Sequence, residues 1–399
     1  MTHKKTRVLA LLAALILLLG SAGCSLFLRQ TTPSTAAMVT SAPGTTASTT
    51  AAPVPPGQRI SLVAVGDNLI AQSISRNAKT AGGYDFHPIY RFIKPWVEAA
   101  DIAFINQETP IVGTREPSGY PTFNSPNELG QAVADCGFDI VNQANNHCLD
   151  KGLSGLVATA DFWDGYSDIL MIGTNRSQEE QDTIRIQQYG ELRFAWLSYT
   201  YGTNGIPLPE PYVVSLLDKE RILSDIEKAK KLSDAIIVSV HWGVEYATTE
   251  NAEQQVLAQT LADAGVLLVI GHHPHVLQPV KILEGKDGNQ TPVVYSLGNF
   301  LSNQEKSIRM LGGMLSCDIV YEDGSFSIEN LGVIPLVTHY ESGYTKNTIY
   351  PLRDYTTALA SRHRVGKLDV PITLKYLDDN ARKILGDFYY TAPGQPKKP

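Results

Sequence analysis

The feature that most constrains this chain is a repeated alternation of short apolar runs with longer segments of helical spacing. Eight runs have the length and composition of buried β-strands: Ile60–Val65, Asp101–Ile105, Phe138–Val141, Ile169–Ile172, Arg193–Ser198, Ala235–Val240, Val266–Ile270 and Pro292–Ser296. Five segments carry apolar residues at helical spacing: Pro88–Ala99, Pro126–Cys136, Gly152–Trp163, Ser215–Leu232 and Asn251–Ala264. Alternating strands and helices predict a layered α/β domain.

The pattern changes after Met314. Two apolar segments, Met314–Tyr321 and Ser325–Leu336, flank the turn sequence Glu322-Asp323-Gly324, which is typical of a β-hairpin. An amphipathic helix is expected over Pro371–Phe388. We therefore predict a main domain over residues 59–303 and a small C-terminal extension over residues 304–399, whose hairpin and helix pack on that domain.

The N-terminus is typical of an export signal rather than of a folded element. Basic residues precede an apolar run, Val8–Leu19, which is shorter than the roughly 20 residues of a membrane span. Ser21-Ala22-Gly23-Cys24 resembles a bacterial lipoprotein signal, although Ser21 stands where leucine is usual. We predict residues 1–24 as this signal, with Cys24 lipidated and the protein anchored to the outer face of the cytoplasmic membrane. The alternative is a short uncleaved anchor helix.

Residues 25–58 are rich in Ser, Thr, Ala and Pro and have no periodic apolar face, so they predict a flexible tether. The formal net charge of −7 gives the chain no electrostatic reason to bind nucleic acid. An acidic polymer would have to meet a local basic or metal-bearing patch. Four cysteines are too few for a disulfide framework; unpaired core residues are favoured, and a Cys136–Cys148 bridge is the alternative.

Polar residues follow six of the predicted strands, at the place where open α/β sheets carry their sites. The six strand ends are Gly66-Asp67-Asn68, Asn106–Pro110, Asn142–His147 with Asp150 beyond, His241–Glu245, Gly271–His275 and Leu297–Phe300. Five of the nine histidines lie in three of these segments: His147, His241, His272, His273 and His275. Carboxylate, imidazole and amide ligands suit Mn, Fe or Zn, so the pattern predicts a divalent metal site.

Six motifs in this order (GDN, NQETP, NNHCLD, HWGVEY, GHHPHVLQP and YSLGNF) resemble the CapA family of capsule-synthesis proteins. The resemblance covers about residues 59–303. It implies a fold related to the calcineurin-like metallophosphoesterases, a four-layer α/β/β/α sandwich. It also implies a part in making or anchoring poly-γ-glutamate.

The resemblance further implies a role for each motif residue. The metal ligands would be Asp67, Glu108, Asn146, His241, His273 and His275. His147 would face the substrate as the catalytic residue, with Asp150 orienting it. Two departures matter: Val63-Ala64-Val65 stand where an Asp-x-His motif would supply metal ligands, and Cys148 stands where an acid is usual. One or two metal ions are therefore expected.

Four further residues are predicted to lie beside the substrate: Asn68, Asn106, Glu245 and Asn299. For Asn106, as for Asn142 and Asn145, a turn-forming role is the alternative. Glu245 has an alternative as a helix-start ion pair. His272 is expected to be structural, because neighbouring side chains on a strand end point in opposite directions.

These observations predict a surface-anchored protein of capsule or poly-γ-glutamate biosynthesis with a metal-dependent, hydrolase-like site. Its partners would be an anionic polymer or peptide substrate and membrane-bound polymer synthase subunits. Whether it is an enzyme stays open at this point. One alternative is a non-catalytic scaffold that holds an anionic polymer beside a membrane synthase. The other is a hydrolase of cell-wall or lipid phosphates that is unrelated to capsule.

Overall fold

Two large β-sheets form the centre of the computed structural model, which describes residues 57–394. The strands are β1 (Gln58–Asn68), β2 (Lys79–Thr80), β3 (Gly83–Tyr84), β4 (Ile102–Asn106), β5 (Ile140–Asn142), β6 (Leu170–Ile172), β7 (Arg185–Tyr189), β8 (Leu192–Thr200), β9 (Ala235–His241), β10 (Leu268–His272), β11 (Val280–Glu284), β12 (Gln290–Val294), β13 (Asn299–Leu301), β14 (Leu311–Glu322), β15 (Ser325–Glu341) and β16 (Thr345–Pro351). The α-helices are α1 (Gln72–Ala78), α2 (His87–Tyr90), α3 (Lys94–Val97), α4 (Asn127–Cys136), α5 (Gly152–Trp163), α6 (Gln178–Asp182), α7 (Lys219–Leu232), α8 (Ala252–Asp263), α9 (Thr357–Arg362) and α10 (Leu374–Leu385). Five short 3-10 helices complete the described secondary structure: Ser307–Met310, Ser342–Tyr344, Leu352–Asp354, Arg364–Lys367 and Gly386–Phe388.

Both sheets contain a block of parallel strands and are extended by antiparallel ones. Sheet 1 has the order β16-β15-β14-β1-β4-β5-β6; β1, β4, β5 and β6 are parallel, and β14 to β16 extend the sheet in antiparallel fashion. The short strand β13 runs parallel to the end of β1. Sheet 2 has the order β11-β12-β10-β9-β8-β7, with antiparallel strands only at its two edges.

The alternation of side chains along β1 shows how the layers are built. Leu62 and Ala64 lie in a core cluster that includes Trp196 of sheet 2, so this face of sheet 1 packs against the other sheet. Val63 and Val65 face the opposite way and pack with residues of helices α1 to α5. Helices α7 and α8 cover the outer face of sheet 2. The predicted four-layer α/β/β/α arrangement is therefore confirmed.

All eight predicted strands are present, and the structure adds some that the pattern did not indicate. The hairpin β14–β15 is longer than predicted, and β14 pairs with β1 along Gln58–Val65. The boundary predicted between residues 303 and 304 stays a prediction, but strands from both sides of it share sheet 1. The predicted helix Pro88–Ala99 is instead two single-turn helices, because Pro88 and Pro95 each fit only the first turn of a helix.

The predicted signal, Cys24 and most of the predicted tether lie outside the described residues. Within residues 57–394, every helix is too short or too polar to cross a membrane. Cys136, Cys148 and Cys317 are buried and unpaired, so the bridge between the first two is absent.

Candidate metal centre

The predicted site residues meet where parallel strands of both sheets end. In sheet 1 the end of β1 places Asp67 beside Asn106 of β4, and Glu108 lies two residues after the end of β4. In sheet 2, His241 at the end of β9 lies opposite His272 of β10, and the loop after β10 carries His273 and His275. The candidate site therefore lies at the carboxyl edge of both sheets, where this class of fold commonly binds ligands.

Asp67, Glu108 and His275 form the tightest group of ligand atoms. Each offers one atom, and these three atoms all lie within 4.8 Å of one another. His275 Nδ1 is 2.9 Å from Asp67 Oδ2, and the Asn106 amide donates a hydrogen bond of 2.8 Å to Asp67 Oδ1. Burial by itself would raise the pKa of Asp67, but the hydrogen bond and charge of His275 outweigh it and lower that pKa.

Glu108 differs from the other two residues because its carboxylate is buried without a hydrogen-bond partner in the described part of the chain. It is fully buried, and neither carboxylate oxygen has a hydrogen-bond partner among the described residues. Its Oε1 lies 3.7 Å from His275 Nε2 and 3.8 Å from His241 Nε2. Burial, followed by the negative charge of Asp67, raises the pKa of Glu108 well above its ordinary value. An unpaired buried carboxylate is costly, and a cation held between the two imidazoles would remove that cost.

A second group of potential ligands lies near Glu108. His241 Nε2 is 3.0 Å from Asn146 Oδ1, and the ring of His273 is 4.9 Å from that of His241. Burial lowers the pKa of His241 well below its ordinary value and that of His273 to about 4. Both imidazoles are therefore neutral at physiological pH, which is the state that binds metals. Carboxylate, amide and neutral imidazole groups in this arrangement fit a divalent cation.

His147 lies beside these groups and is held by Asp150. His147 Nδ1 is 2.8 Å from Asp150 Oδ2, which also accepts a 2.6 Å hydrogen bond from the Phe123 amide. The Phe123 ring contacts the imidazole edge-on, with 4.7 Å between the centroids. A hydrogen bond to this carboxylate favours the tautomer with the proton on Nδ1, which leaves the lone pair on Nε2.

A cavity of about 640 Å³ opens above the site. Its walls include His147, Asp150, Glu245, His275 and Arg309. A second cavity, of about 690 Å³, is lined in part by β15 and β16 and contains none of the predicted site residues. The first cavity is therefore the one that matches the chemistry.

The structure does not bring all four predicted substrate contacts to this cavity. Glu245 lines it, but Asn68 is fully buried and donates a 2.7 Å hydrogen bond to Gln107 Oε1. Asn106 donates a hydrogen bond to Asp67 Oδ1 and accepts one from Asn142, so it supports Asp67 and plays neither the predicted substrate-contacting role nor the turn-forming alternative.

Asn299 is also buried and supports the loop of His275. Its Nδ2 lies 3.2 Å from the His275 carbonyl oxygen and 3.1 Å from the Arg309 carbonyl oxygen. His272 packs its ring on Phe104, with 5.5 Å between the centroids, so its environment is that of a core residue. Its Nδ1 is nonetheless 3.7 Å from Asp67 Oδ1.

Four residues near the site were not predicted from the sequence: Tyr201, Asn204, Tyr246 and Arg309. Asn204 Oδ1 accepts a 3.2 Å hydrogen bond from Asn146, and the Tyr201 ring lies 4.4 Å from the His273 ring. Both follow β8 at the same edge as the other strand ends, and this was the signal that could have found them. Arg309 lies in the 3-10 helix Ser307–Met310 and carries no comparable sequence signal.

Several known proteins are similar to this chain. The capsule biosynthesis protein CapA of Bacillus anthracis is 27% identical over 259 residues, which cover 62% of this chain and 61% of the relative. The PGA biosynthesis protein CapA of Bacillus subtilis is 29% identical over 246 residues, which cover 60% of this chain and 62% of the relative. The matched segment thus spans about three fifths of each relative. The calcineurin-like phosphoesterase YfkN of Bacillus subtilis aligns with 82% of this chain and 98% of its own, at 14% identity and a TM-score of 0.40.

The family comparison covers the whole candidate site. The profile described as "Bacterial capsule synthesis protein PGA_cap" matches residues 61–304, a range that contains every predicted metal ligand as well as His147 and Asp150. The chain therefore belongs to the bacterial capsule synthesis protein PGA_cap family.

Proposed function

We propose that this protein acts in capsule or poly-γ-glutamate assembly as a metal-dependent hydrolase at the outer face of the cytoplasmic membrane. Membership in the PGA_cap family and relatives named for PGA and capsule biosynthesis support the pathway. The observation that carries the hydrolase proposal is Glu108, a fully buried carboxylate that has imidazoles nearby and no hydrogen-bond donor among the described residues.

The chain offers ligands for one or two cations. Asp67, Glu108 and His275 would hold one, and Glu108 with Asn146, His241 and His273 would hold the other. When bound, a divalent metal supplies Lewis acidity and lowers the pKa of bound water towards neutrality.

His147 supplies the proton chemistry of the proposed reaction. Asp150 holds the Nδ1 proton, so Nε2 is free to exchange a proton with a group in the cavity. Phe123 fixes Asp150 through its backbone amide and contacts the imidazole with its ring. Nε2 would first accept a proton from water in the cavity and then pass it to the leaving group of a phosphoester, amide or peptide bond. Asp67 and Glu108 do not contact His147 among the described interactions. Their proposed role is cation binding and not proton transfer.

The membrane position of the proposal rests on Cys24, and the proposed partners are an anionic polymer and membrane-bound synthase subunits. A lipid on Cys24 would hold the domain near such a synthase, and residues 25–58 would set its reach. The alternative is a scaffold function, in which the pocket binds polymer without turnover. The following experiment distinguishes it from hydrolysis.

The test uses the full-length protein in detergent, first stripped with a chelator and then loaded with Mn or Zn. Elemental analysis gives the metal number, and turnover is measured on a γ-glutamyl peptide and on a phosphodiester. We expect turnover of at least one substrate only after metal loading. His147→Ala should abolish it while the metal content stays unchanged. Normal metal and polymer binding without turnover of either substrate would replace hydrolysis by the scaffold function.

A further inference from the structure

Arg309 is a positively charged side chain in the cavity that has no carboxylate partner among the described residues. It lines the cavity beside the candidate metal centre, yet among residues 57–394 it has no ion pair and its buried Nε has no hydrogen-bond partner. Its guanidinium carbon lies 3.3 Å from the centre of the Tyr246 ring. The Tyr246 ring in turn lies 6.1 Å from that of His275. The Tyr246 ring thus lies between Arg309 and His275 of the metal-binding group.

Other arginines that stack on a tyrosine in the described part of this protein also form an ion pair, whereas Arg309 does not. Among the described residues, two other arginines stack on a tyrosine: Arg364 on Tyr344 and Arg382 on Tyr389. Arg364 pairs with Glu305 at 3.2 Å, and Arg382 pairs with Asp378 at 2.8 Å. Arg309 has the same stacking without the carboxylate. Glu245 and Asp150 share its cavity, but neither forms an ion pair with it.

The backbone around Arg309 is held firmly. The Asn299 amide contacts the carbonyl oxygens of both Arg309 and His275, so one side chain fixes the arginine relative to the metal-binding loop. The Ser307 amide donates a 3.0 Å hydrogen bond to Asp369, which also pairs with Lys306 at 3.2 Å. On the other side of the stack, the Tyr246 amide donates to the Pro274 carbonyl at 2.7 Å.

A guanidinium in this position has a specific chemical use. Its planar set of donors matches carboxylate and phosphate, and stacking on an aromatic ring leaves the edge of the plane free for such a ligand. From this geometry we infer that Arg309 forms an oxyanion subsite, which holds a carboxylate or phosphate of the substrate beside the reacting bond. This inference rests on the proposed function, and it names the substrate class as anionic. Arg309 also lies beyond residues 61–304, so it is a feature of this chain outside the family match.

Binding, rather than turnover, is the primary test. Fluorescence anisotropy would compare a labelled γ-linked glutamate peptide with its counterpart in which every α-carboxylate is an amide. The full-length metal-loaded protein would carry His147→Ala in all cases, so that hydrolysis cannot deplete the peptide. Inorganic phosphate serves as a competitor, because it provides the other source of the same chemistry.

We expect the acidic peptide to bind about 10-fold to 100-fold more tightly than the amide peptide, as a charged hydrogen-bonded pair requires. Arg309→Gln should bring the two affinities close together. Arg309→Lys should keep part of the preference, since lysine keeps the charge but lacks the planar fork. Arg382→Gln is the matched control, because that arginine also stacks on a tyrosine but does not line this cavity; it should behave as the parent protein.

The outcomes separate the inference from the proposed function. Arg309-dependent binding of the peptide identifies the oxyanion as carboxylate, and Arg309-dependent binding of phosphate alone identifies it as phosphate. If Arg309→Gln leaves the binding of both unchanged in a folded, metal-loaded protein, the inference is wrong. Arg309-dependent binding, combined with no turnover of either substrate by the metal-loaded protein that retains His147, would overturn the proposed hydrolase and leave the subsite standing. Hydrolysis by the protein that retains His147, with peptide and phosphate binding unaffected by Arg309→Gln, would support the hydrolase and overturn the subsite.

Discussion

Glu108 offers the sharpest test of the candidate metal centre, because its replacement should stabilise the metal-free protein and reduce the stabilisation that metal provides. Its carboxylate is fully buried without a hydrogen bond and lies 3.7 Å from His275 Nε2 and 3.8 Å from His241 Nε2. Glu108→Gln keeps the shape and removes the charge. Without metal, the variant avoids the cost of a buried unpaired carboxylate. With metal, it loses a ligand.

The size and pH dependence of the effect follow from that environment. A buried polar group without a partner costs roughly 1–3 kcal/mol, so at pH 8 in chelator we expect the variant to be more stable by about that amount. Burial raises the pKa of Glu108, so the folded protein holds a proton that the unfolded chain releases. Wild-type stability in chelator should therefore fall as the pH rises above the ordinary glutamate pKa of about 4.3 towards the raised value, and the variant should lack this fall.

Metal should stabilise wild type more than the variant. At a metal concentration of 100 times Kd, binding stabilises wild type by about 2.7 kcal/mol. If the substitution weakens binding 100-fold, the variant gains only about 0.4 kcal/mol under the same conditions. Denaturant unfolding between pH 5 and 8, with chelator and with Mn, measures both quantities. A variant that is less stable in chelator, or that gains as much from Mn as wild type, would refute the assignment of Glu108.

Three further predictions test other parts of the molecule. Asp150→Asn should lower the rate of any hydrolysis about 10²-fold to 10⁴-fold at unchanged metal content, because His147 loses its orienting carboxylate; an unchanged rate would remove His147 from proton transfer. Burial raises the pKa of Asp139 from 3.8 to about 7, so its contribution to stability should be lost as the pH rises through this window. Asp139→Asn should flatten that part of the unfolding profile without changing the response to metal, and an unchanged profile would contradict this. Cys24→Ala should release the protein from the membrane fraction, whereas retention there would favour the anchor helix.

The fold was predictable from the sequence because buried parallel strands leave a strong local signal. β9 and β10 are buried and mostly apolar, and polar residues stand at or just after the carboxyl end of each. β7 and β11 were missed because they lie at the edges of sheet 2 and contain few buried side chains. β16 was missed for a related reason, since it begins with the polar residues Thr345, Lys346 and Asn347 and contains only a short apolar stretch.

The candidate site was predictable to the extent that its residues follow strands directly. Asp67, His241 and His275 meet because parallel strands place their carboxyl ends at one edge, and sequence order indicates which residues stand there. Side-chain direction is a different matter. Asn68 directly follows Asp67 but turns into the protein to contact Gln107, and only three-dimensional packing decides this. Arg309 is the opposite case, because it reaches the site from a helix that no strand end indicates.

The chain after the family match is therefore part of the site in physical terms. β14 completes sheet 1 by pairing with β1, the strand that ends in Asp67. The 3-10 helix immediately before β14 brings Arg309 to the cavity, and Asn299 joins its backbone to that of His275. A change that loosens β14 should thus disturb the metal group and the oxyanion subsite together. Arg309→Gln changes only one of them, and this difference allows binding specificity to be separated from metal binding in one protein.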